Sequence, residues 1–524
     1  MNDSWLPPEG VRRASDVITV SASMFKRGDF RCPMADALAA RGFRPRQSGE
    51  RRPETLEHFT LAPFMAACDA QDPPRPGTDS RRGRPVPVLH DGLRRWTEHA
   101  VARYREAFAG DPDEGMVEVS IPWVYRYRPP VENQHAASEY RFTVWGRRLS
   151  SADGSQRELR LPVTRLRQLT PPIGFVAAAA LVLAEGTPGP KPRRVRIVEV
   201  GLLDGRVRTL FDDTREAALT HYREHGPSTL AAILSNQEYR PGTSCASCPY
   251  AVACPALRRA PGLLGVTTGG RPRRTWSVTN GRNYRACPAR DHLRRLHLPT
   301  ADAVERDPTS ERGRALHAYL AAQHDDRTPR PCTPEIPERW VPDGFDLPEH
   351  ERSLGRRLLR RHAAVCPMRL VRDGADVRNE PRVVRLDTTA DVVVIAAPDL
   401  LYRDGDSWVW RETKTTASER AGRVPLLERY PQLALAVLLL ARGDLGGSPH
   451  RSRVELEVLR PSGADLELID PFARATRAAA ERIVHALVAD WHGDDHYAPS
   501  PGRACQRCEV AQWCSSALTS EAAA

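Results

Sequence analysis

Lysine is almost absent from this chain: it occurs only at Lys26, Lys191 and Lys414, among 77 lysines and arginines in 524 residues. A guanidinium stays charged and planar, whereas an ammonium is a compact charge whose pKa moves with its surroundings, so each lysine marks a place where arginine does not serve. Long hydrophobic runs are also missing. The longest, Phe175 to Ala184 and Leu433 to Ala441, fall short of the roughly 20 residues of a membrane helix and read as buried core helices. No N-terminal stretch joins positive charge to a long apolar run, which predicts a chain without a secretory leader, hence a cytoplasmic protein with no membrane association. The phosphate-cradling pattern G-x4-G-K-[ST] is absent too, so strand unwinding would need a separate motor.

The length exceeds what one hydrophobic core supports, which makes two domains the default. Apolar residues are 40% and charged residues 27%, with 46 Pro and 35 Gly, a globular composition with many loops. The net charge of +11 suits a polyanionic partner, because cations placed near phosphates release condensed counterions. Charge alone fits a solvated basic surface equally well.

Eleven cysteines in a large chain read as cytoplasmic point to metal ligation rather than disulfides. Cys245, Cys248 and Cys254 follow C-x2-C-x5-C, and Cys505, Cys508 and Cys514 repeat that spacing. Each triplet follows a Tyr-x-Pro, Tyr239 to Pro241 and Tyr497 to Pro499, with Gly three residues before its first cysteine. A fourth cysteine opens a C-P-x-x-D-x-L segment far upstream, at Cys32 and Cys287, 213 and 218 residues before the respective triplets. Four thiolates hold either a tetrahedral zinc or an iron-sulfur cluster. Zinc ribbons usually supply two local pairs, so three local ligands and a remote one favour [4Fe-4S], two clusters in all. Either site would staple the start of a module to its end, and long closures remove the most unfolded-state entropy.

This bracket divides the chain into a first module at 1–257, a linker at 258–275 (Arg258 to Thr275) and a second module at 276–524. Gln71 to Pro87 and Asp325 to Pro348 read as loops within the modules. Cys68, Cys332 and Cys366 lack partners at ligand spacing and read as ordinary thiols.

From Asp391 the chain reads DVVVIAAPDLLYRDGDSWVWRETKTT. A β-branched run, a turn at Asp404-Gly405-Asp406 and a Trp/Val-rich run predict a hairpin, with Asp399 leaving the first strand. Glu412 and Lys414 are one residue apart on the second strand, so both point to one face. Two carboxylates converging on Mg2+ or Mn2+ can activate water and neutralise charge growing on a phosphodiester. An isolated Glu-x-Lys on a strand is ordinarily a surface ion pair.

Pro398-Asp399 followed by Glu412-Thr413-Lys414 resembles the signature of PD-(D/E)XK nucleases, and the RecB-like subgroup in particular. Its iron-sulfur members, AddB-type and CRISPR-adaptation nucleases among them, place one cysteine before the nuclease core and three after it, as Cys287, Cys505, Cys508 and Cys514 stand here. The resemblance covers about Ser277 to Leu518. It implies an α/β fold, a central mixed β-sheet flanked by helices in each of two restriction-endonuclease-like modules. It further implies that Asp399 and Glu412 bind the cation with His317, that Lys414 is catalytic, that Glu380 is a further acid at the metal, and that Gln432 assists on the following helix. The family's Gln-x3-Tyr is broken, because Ala436 stands where tyrosine would.

Aligning Val195–Val200 with Val454–Leu459 sets Gln156–Arg160 beside Trp410–Lys414, with Arg160 in place of the lysine and Trp145-Gly146 in place of Pro398-Asp399. Ile173 falls where Gln432 stands. These losses predict an inactive first module. Together the readings predict a metal-dependent DNase acting on ends or single strands, alongside a separate helicase, in DNA repair, recombination or anti-phage defence. The competing expectation is a nucleic-acid-binding or redox-sensing iron-sulfur scaffold without catalysis.

Overall fold

The computed structural model describes residues 5–26, 28, 31–46, 56, 59–71, 89–110, 115–129, 137–301, 304, 307–325, 330–372, 375–418 and 424–517. Beyond Gln71, the expected Gln71–Pro87 loop lies outside the described residues, as do 326–329 of the second loop. The chain divides into two compact units. Unit 1 comprises Met1–Ala256, Leu293–Pro299 and Trp513–Ser515; unit 2 comprises Leu257–His292, Thr300–Gln512 and Ser516–Ala524.

Unit 1 contains β1 (Val11–Arg13), β2 (Val17–Ser21), β3 (Phe43–Pro45), β4 (Val117–Glu118), β5 (Val124–Tyr127), β6 (Glu139–Thr143), β7 (Arg147–Ser150), β8 (Gln156–Val163), β9 (Arg194–Gly201) and β10 (Val207–Thr214). Its main sheet runs β10-β9-β8-β7-β4, beside a smaller β2-β6-β5 sheet and a β1-β3 ladder. β8 and β9 are parallel, and parallel neighbours need a crossover connection. That connection is α1 (Ile173–Glu185). Its sequence IGFVAAAALVLAE is apolar on every side, a pattern stable only when packed all round, and Gly174 through Ala184 are buried. The strand β10 leads into α2 (Arg215–Ser235), whose first turn is capped by Thr214 Oγ1 accepting the Ala217 N–H at 3.1 Å.

Unit 2 contains β11 (Arg258–Arg259), β12 (Arg274–Trp276), β13 (Val377–Asn379), β14 (Val383–Asp387), β15 (Val392–Ala396), β16 (Leu400–Asp404), β17 (Ser407–Thr415), β18 (Arg453–Leu459) and β19 (Ala464–Ile469). Helices α3 (Pro308–His324) and α4 (Glu349–Val365) precede the main sheet. That sheet runs β13-β16-β17-β18-β19, and the smaller one β11-β14-β15-β12. The parallel pair β17 and β18 is joined across α5 (Pro431–Ala441), with proline in its first turn and Leu433 through Leu440 buried. α6 (Arg474–Gly493) follows β19. The strand order thus recurs. In each unit an antiparallel hairpin, an apolar crossover helix, a parallel strand, an antiparallel return strand and a further helix follow one another. In each smaller sheet an early strand, β2 or β12, lies parallel to a later one, β6 or β15.

Arg258 to Thr275 is not a linker. Arg258 and Arg259 pair with β14, Ala260, Leu263 and Leu264 are buried in the unit 2 core, and Arg274 and Thr275 open β12. Buried Asp387 accepts the backbone N–H groups of Gly262 at 2.9 Å and Leu264 at 2.8 Å, as well as those of Thr389 and Ala390. Glycine and proline marked tight turns correctly, but one carboxylate satisfies those turns inside the fold, and composition carries no sign of that partner.

The expected hairpin also differs in its first strand. Val392–Ala396 belongs to the smaller sheet, and the chain changes sheets at Pro398, which has no N–H to donate to a ladder. Asp399 therefore stands immediately before β16, at the start of the hairpin, rather than at the end of the β-branched run.

Candidate active site

The β16 and β17 strands pair antiparallel with Leu400 opposite Arg411 and Asp404 opposite Ser407. Gly405, at φ +62°, supplies the left-handed conformation the turn requires. This register brings Asp399 beside the Glu412–Lys414 stretch. Asp399 Oδ2 accepts the Thr413 backbone N–H at 2.7 Å and lies 3.5 Å from Lys414 Nζ. Lys414 also donates to Glu412 Oε2 at 3.1 Å, and Trp410 Nε1 donates to Glu412 Oε1 at 3.1 Å. From α3, His317 Nδ1 approaches Asp399 Oδ1 at 3.2 Å. Alternation sets Trp410, Glu412 and Lys414 on one face, where Trp410 joins the apolar cluster containing the α5 leucines.

Burial governs the electrostatics. It pushes the Asp399 carboxyl up, yet the charges of His317 and Lys414 and the Thr413 N–H outweigh it and hold Asp399 below the usual carboxylate range. Glu412, 4% exposed, is pushed up to about 7 by burial and by the neighbouring Asp399 charge, against the pull of Lys414 and Trp410. Burial lowers Lys414, but Asp399 and Glu412 more than compensate and raise it above an ordinary lysine. His317 is likewise lowered by burial and raised on balance, chiefly by Asp399. Two carboxylates shifted in opposite directions thus flank one cation.

Of the remaining sequence candidates, Glu380 is exposed, has φ +43°, and donates its backbone N–H to Asp399 O at 3.2 Å. With His317 and Asp399 it lines one small cavity. Gln432 occupies the first turn of α5, partly buried.

The opposite face of the hairpin carries a network absent from the sequence reading. Buried Arg411 donates to Glu455 at 2.8 Å and to Glu457 at 3.1 Å, and Thr413 Oγ1 donates to Glu457 at 3.2 Å. His362 Nδ1 lies 2.7 Å from Glu457 Oε1. Cys332 and Cys366, read above as ordinary thiols, are gathered with His324 and His362, the ligand atoms of all four lying within 4.8 Å of one another. The available signal was a histidine shortly before each cysteine: His324 before Cys332, and His362 one helical turn before Cys366. Cys68 is buried.

In unit 1, burial pushes the Cys248 thiol up to about 12, and Cys245, Cys32 and Cys254 lie near enough to add to the rise; among the described residues these four are not gathered as closely as His324, Cys332, His362 and Cys366. Arg240 N–H reaches Cys32 Sγ at 3.5 Å, and Gly242 N–H reaches Cys245 Sγ at 3.3 Å. The second bracket repeats the pattern, Ser500 N–H to Cys287 Sγ at 3.3 Å and Gly502 N–H to Cys505 Sγ at 3.4 Å. Burial likewise raises Cys508, and the neighbouring Cys287 adds to that rise. Cys514 follows the last short helix, Ala511–Trp513.

With Val195 kept level with Val454, as in the sequence alignment, strand register shifts the match of the two hairpins. Val195 pairs with Arg157, and Val454 with Trp410, so Leu159 and Leu161 stand where Glu412 and Lys414 do. Continuing through Leu149↔Glu158 and Leu400↔Arg411 places Arg148 at the position of Asp399. The sequence alignment, which paired Glu158 with Glu412, is one residue out of step, and a one-residue slip exchanges the faces of a strand. Glu158 lies on the ion-pair face, bonded to Arg160 and, at 3.0 Å, to Arg196.

A mixed sheet thus presents two acids and a lysine in mutual contact at one hairpin. In agreement, residues 275–515 match the family model of the PD-(D/E)XK nuclease superfamily, so the chain carries a domain of that superfamily there. No curated protein matches the chain. One solved structure, described as "Crystal structure of SSO0001", is 17% identical over 27% of this chain and 62% of its own, with a TM-score of 0.19. This chain thus spans less than two thirds of that relative.

Proposed function

We propose that this protein is a Mg2+- or Mn2+-dependent deoxyribonuclease that hydrolyses phosphodiesters at Asp399, Glu412 and Lys414. The observation that carries the proposal is the convergence of these three side chains within 3.5 Å contacts. Two carboxylates supply the hard oxygen donors such a cation takes and an imidazole adds a borderline nitrogen, with Asp399, Glu412 and His317 as its holders and Glu380 as a further candidate. A cation held there supplies water activation and charge neutralisation. Asp399, fixed by the Thr413 N–H, keeps its charge across the neutral range. Lys414, cationic between the two acids, orients a nucleophile or meets negative charge on the phosphate. Gln432, in the first turn of α5, is the assisting residue that the resemblance implies.

The proposal extends to the finer features implied by the resemblance. Unit 1 is a degenerate copy in a tandem duplication, supported by the recurring strand order, and holds DNA or a partner rather than cutting. Each four-cysteine bracket, Cys32, Cys245, Cys248 and Cys254, then Cys287, Cys505, Cys508 and Cys514, holds a [4Fe-4S] cluster as a staple, with zinc as the alternative. The substrate is DNA at ends or in single strands, delivered by a separate helicase in repair, recombination or anti-phage defence within the cytoplasm. Among the described residues no helix is long and apolar enough to cross a membrane.

The test is cleavage of single- and double-stranded DNA and RNA by anaerobically purified protein with Mn2+, beside Lys414→Ala. Degradation by the wild type alone supports the proposal. Equal degradation, or none by either, leaves a binding or redox-sensing scaffold as the reading. Iron and acid-labile sulfide quantification on the same preparation decides the cluster type.

A further inference from the structure

His324 and Cys332 lie 3.3 Å apart through Nε2 and Sγ, and Cys366 Sγ lies 3.7 Å from the same nitrogen. A tetrahedral zinc with Zn–S of about 2.3 Å and Zn–N of about 2.0 Å has S···N edges of about 3.6 Å. Both separations bracket that value. The fourth member, His362, is 1% exposed; its Nδ1 lies against Glu457, and its buried Nε2 meets no hydrogen-bond partner of good geometry, the ring's other neighbour being the Cys366 thiol. A buried ring nitrogen in that condition costs free energy unless a ligand satisfies it. We propose that His324, Cys332, His362 and Cys366 bind a structural Zn2+, separate from the two cysteine brackets and from the cleavage site.

The chemistry favours zinc over hard cations, since two thiolates and two imidazoles form a borderline-soft, closed tetrahedral set. With four protein ligands the centre keeps no open position and performs no reaction. Glu457 supplies the carboxylate that usually orients a ligating histidine. Glu457 is itself bound by Arg411 and Thr413 on the strand bearing Glu412 and Lys414. The centre therefore ties the C-terminal ends of α3 and α4 to the sheet beneath the cleavage site. His317 lies seven residues before His324 on α3, about two turns and on the same face, so anchoring one fixes the other against Asp399. This positioning role rests on the proposed cleavage site; the zinc assignment does not.

Metal analysis of the full chain tests the assignment. The wild type is expected to contain one more zinc per chain than Cys332→Ser with Cys366→Ser, with iron content the same in both. X-ray absorption at the zinc edge of the wild type is expected to contain imidazole as well as sulfur scattering, a readout that holds even where the double variant does not fold. Equal zinc in both proteins, an all-sulfur zinc shell, or a Cys332–Cys366 disulfide in non-reduced peptides would overturn it. Lys414→Ala is expected to retain the zinc in full, which separates failure of this site from failure of the nuclease reading. For the positioning role, His362→Gln is expected to lower Mn2+ affinity at the cleavage site several-fold, and unchanged affinity would refute it.

Discussion

Thr413 donates its backbone N–H to Asp399 Oδ2 at 2.7 Å, so the acid that precedes one strand is aimed by the main chain of the next. Because the donor is backbone, no substitution at Thr413 other than proline removes it. Asp399→Asn retains an acceptor for this bond but loses the charge that faces Lys414 and His317. Cleavage is expected to fall by about 10²-fold or more, with thermal unfolding showing the fold intact. A variant that cuts at wild-type rate with Mn2+ would remove Asp399 from the site.

If Glu412 ligates the proposed cation, binding is pH-dependent. Burial, then the Asp399 charge, hold its carboxyl up at about 7 in the metal-free protein, and only the carboxylate can ligate. Below that value the cation must displace a proton; above it the proton has already left. Mn2+ affinity is therefore expected to rise with pH through about 7 and to level off only once His317, itself held above the ordinary imidazole value, has also lost its proton, with proton release disappearing beyond that point. The same shift has the opposite consequence for the metal-free fold. The folded state keeps a proton that the unfolded chain has lost above the ordinary glutamate value, so this group's contribution declines as pH rises towards 7. Calorimetry in buffers of differing ionisation enthalpy measures the proton count, and a pH-independent affinity would count against Glu412 as a ligand.

Lys414 is one of three lysines in a chain otherwise supplied with arginine, and its setting explains why. Its ammonium fits between Asp399 and Glu412 at 3.5 and 3.1 Å, whereas a planar guanidinium needs more room and offers donors in a fixed fork. Lys414→Arg is expected to lose about as much activity as Lys414→Ala, around 10²-fold, despite retaining the charge. Rescue by arginine would mean that charge alone suffices there.

The turn and second strand of the hairpin, and the face shared by Glu412 and Lys414, were legible because they are local: strand alternation and the Asp404-Gly405-Asp406 turn specify them within a dozen residues of chain, whereas the first strand was set one strand too early. The two crossover helices were legible because their apolar runs allow no exposed face. Long-range polar partners were not. Asp387 turns 258–265 from an apparent linker into core, and the His324, Cys332, His362, Cys366 group assembles from α3, α4 and the segment between them. Neither is encoded in any single window. The unit 1 alignment failed for a related reason: similarity by eye matched Glu158 to Glu412, while the strand ladder, which decides the face, places Leu159 there.

On the proposed duplication, that register sets Leu159 against Glu412. Leu159 is fully buried in a cluster with the α1 residues, so Leu159→Ala removes apolar contacts and leaves a cavity, at an expected cost of about 2–5 kcal/mol. Glu412→Gln in unit 2 replaces an acid held near neutrality by an uncharged amide of the same size, so the metal-free fold should lose little stability, while cleavage and cation binding should collapse. Denaturant unfolding of both variants, set beside cleavage rates measured well below their melting temperatures, separates the two roles. If the sheet of unit 1 were catalytic, Leu159→Ala would slow cleavage under conditions where the protein is still folded. If it only holds, the folded variant cuts at the wild-type rate, because the loss is confined to stability and the reacting groups all lie on the other hairpin.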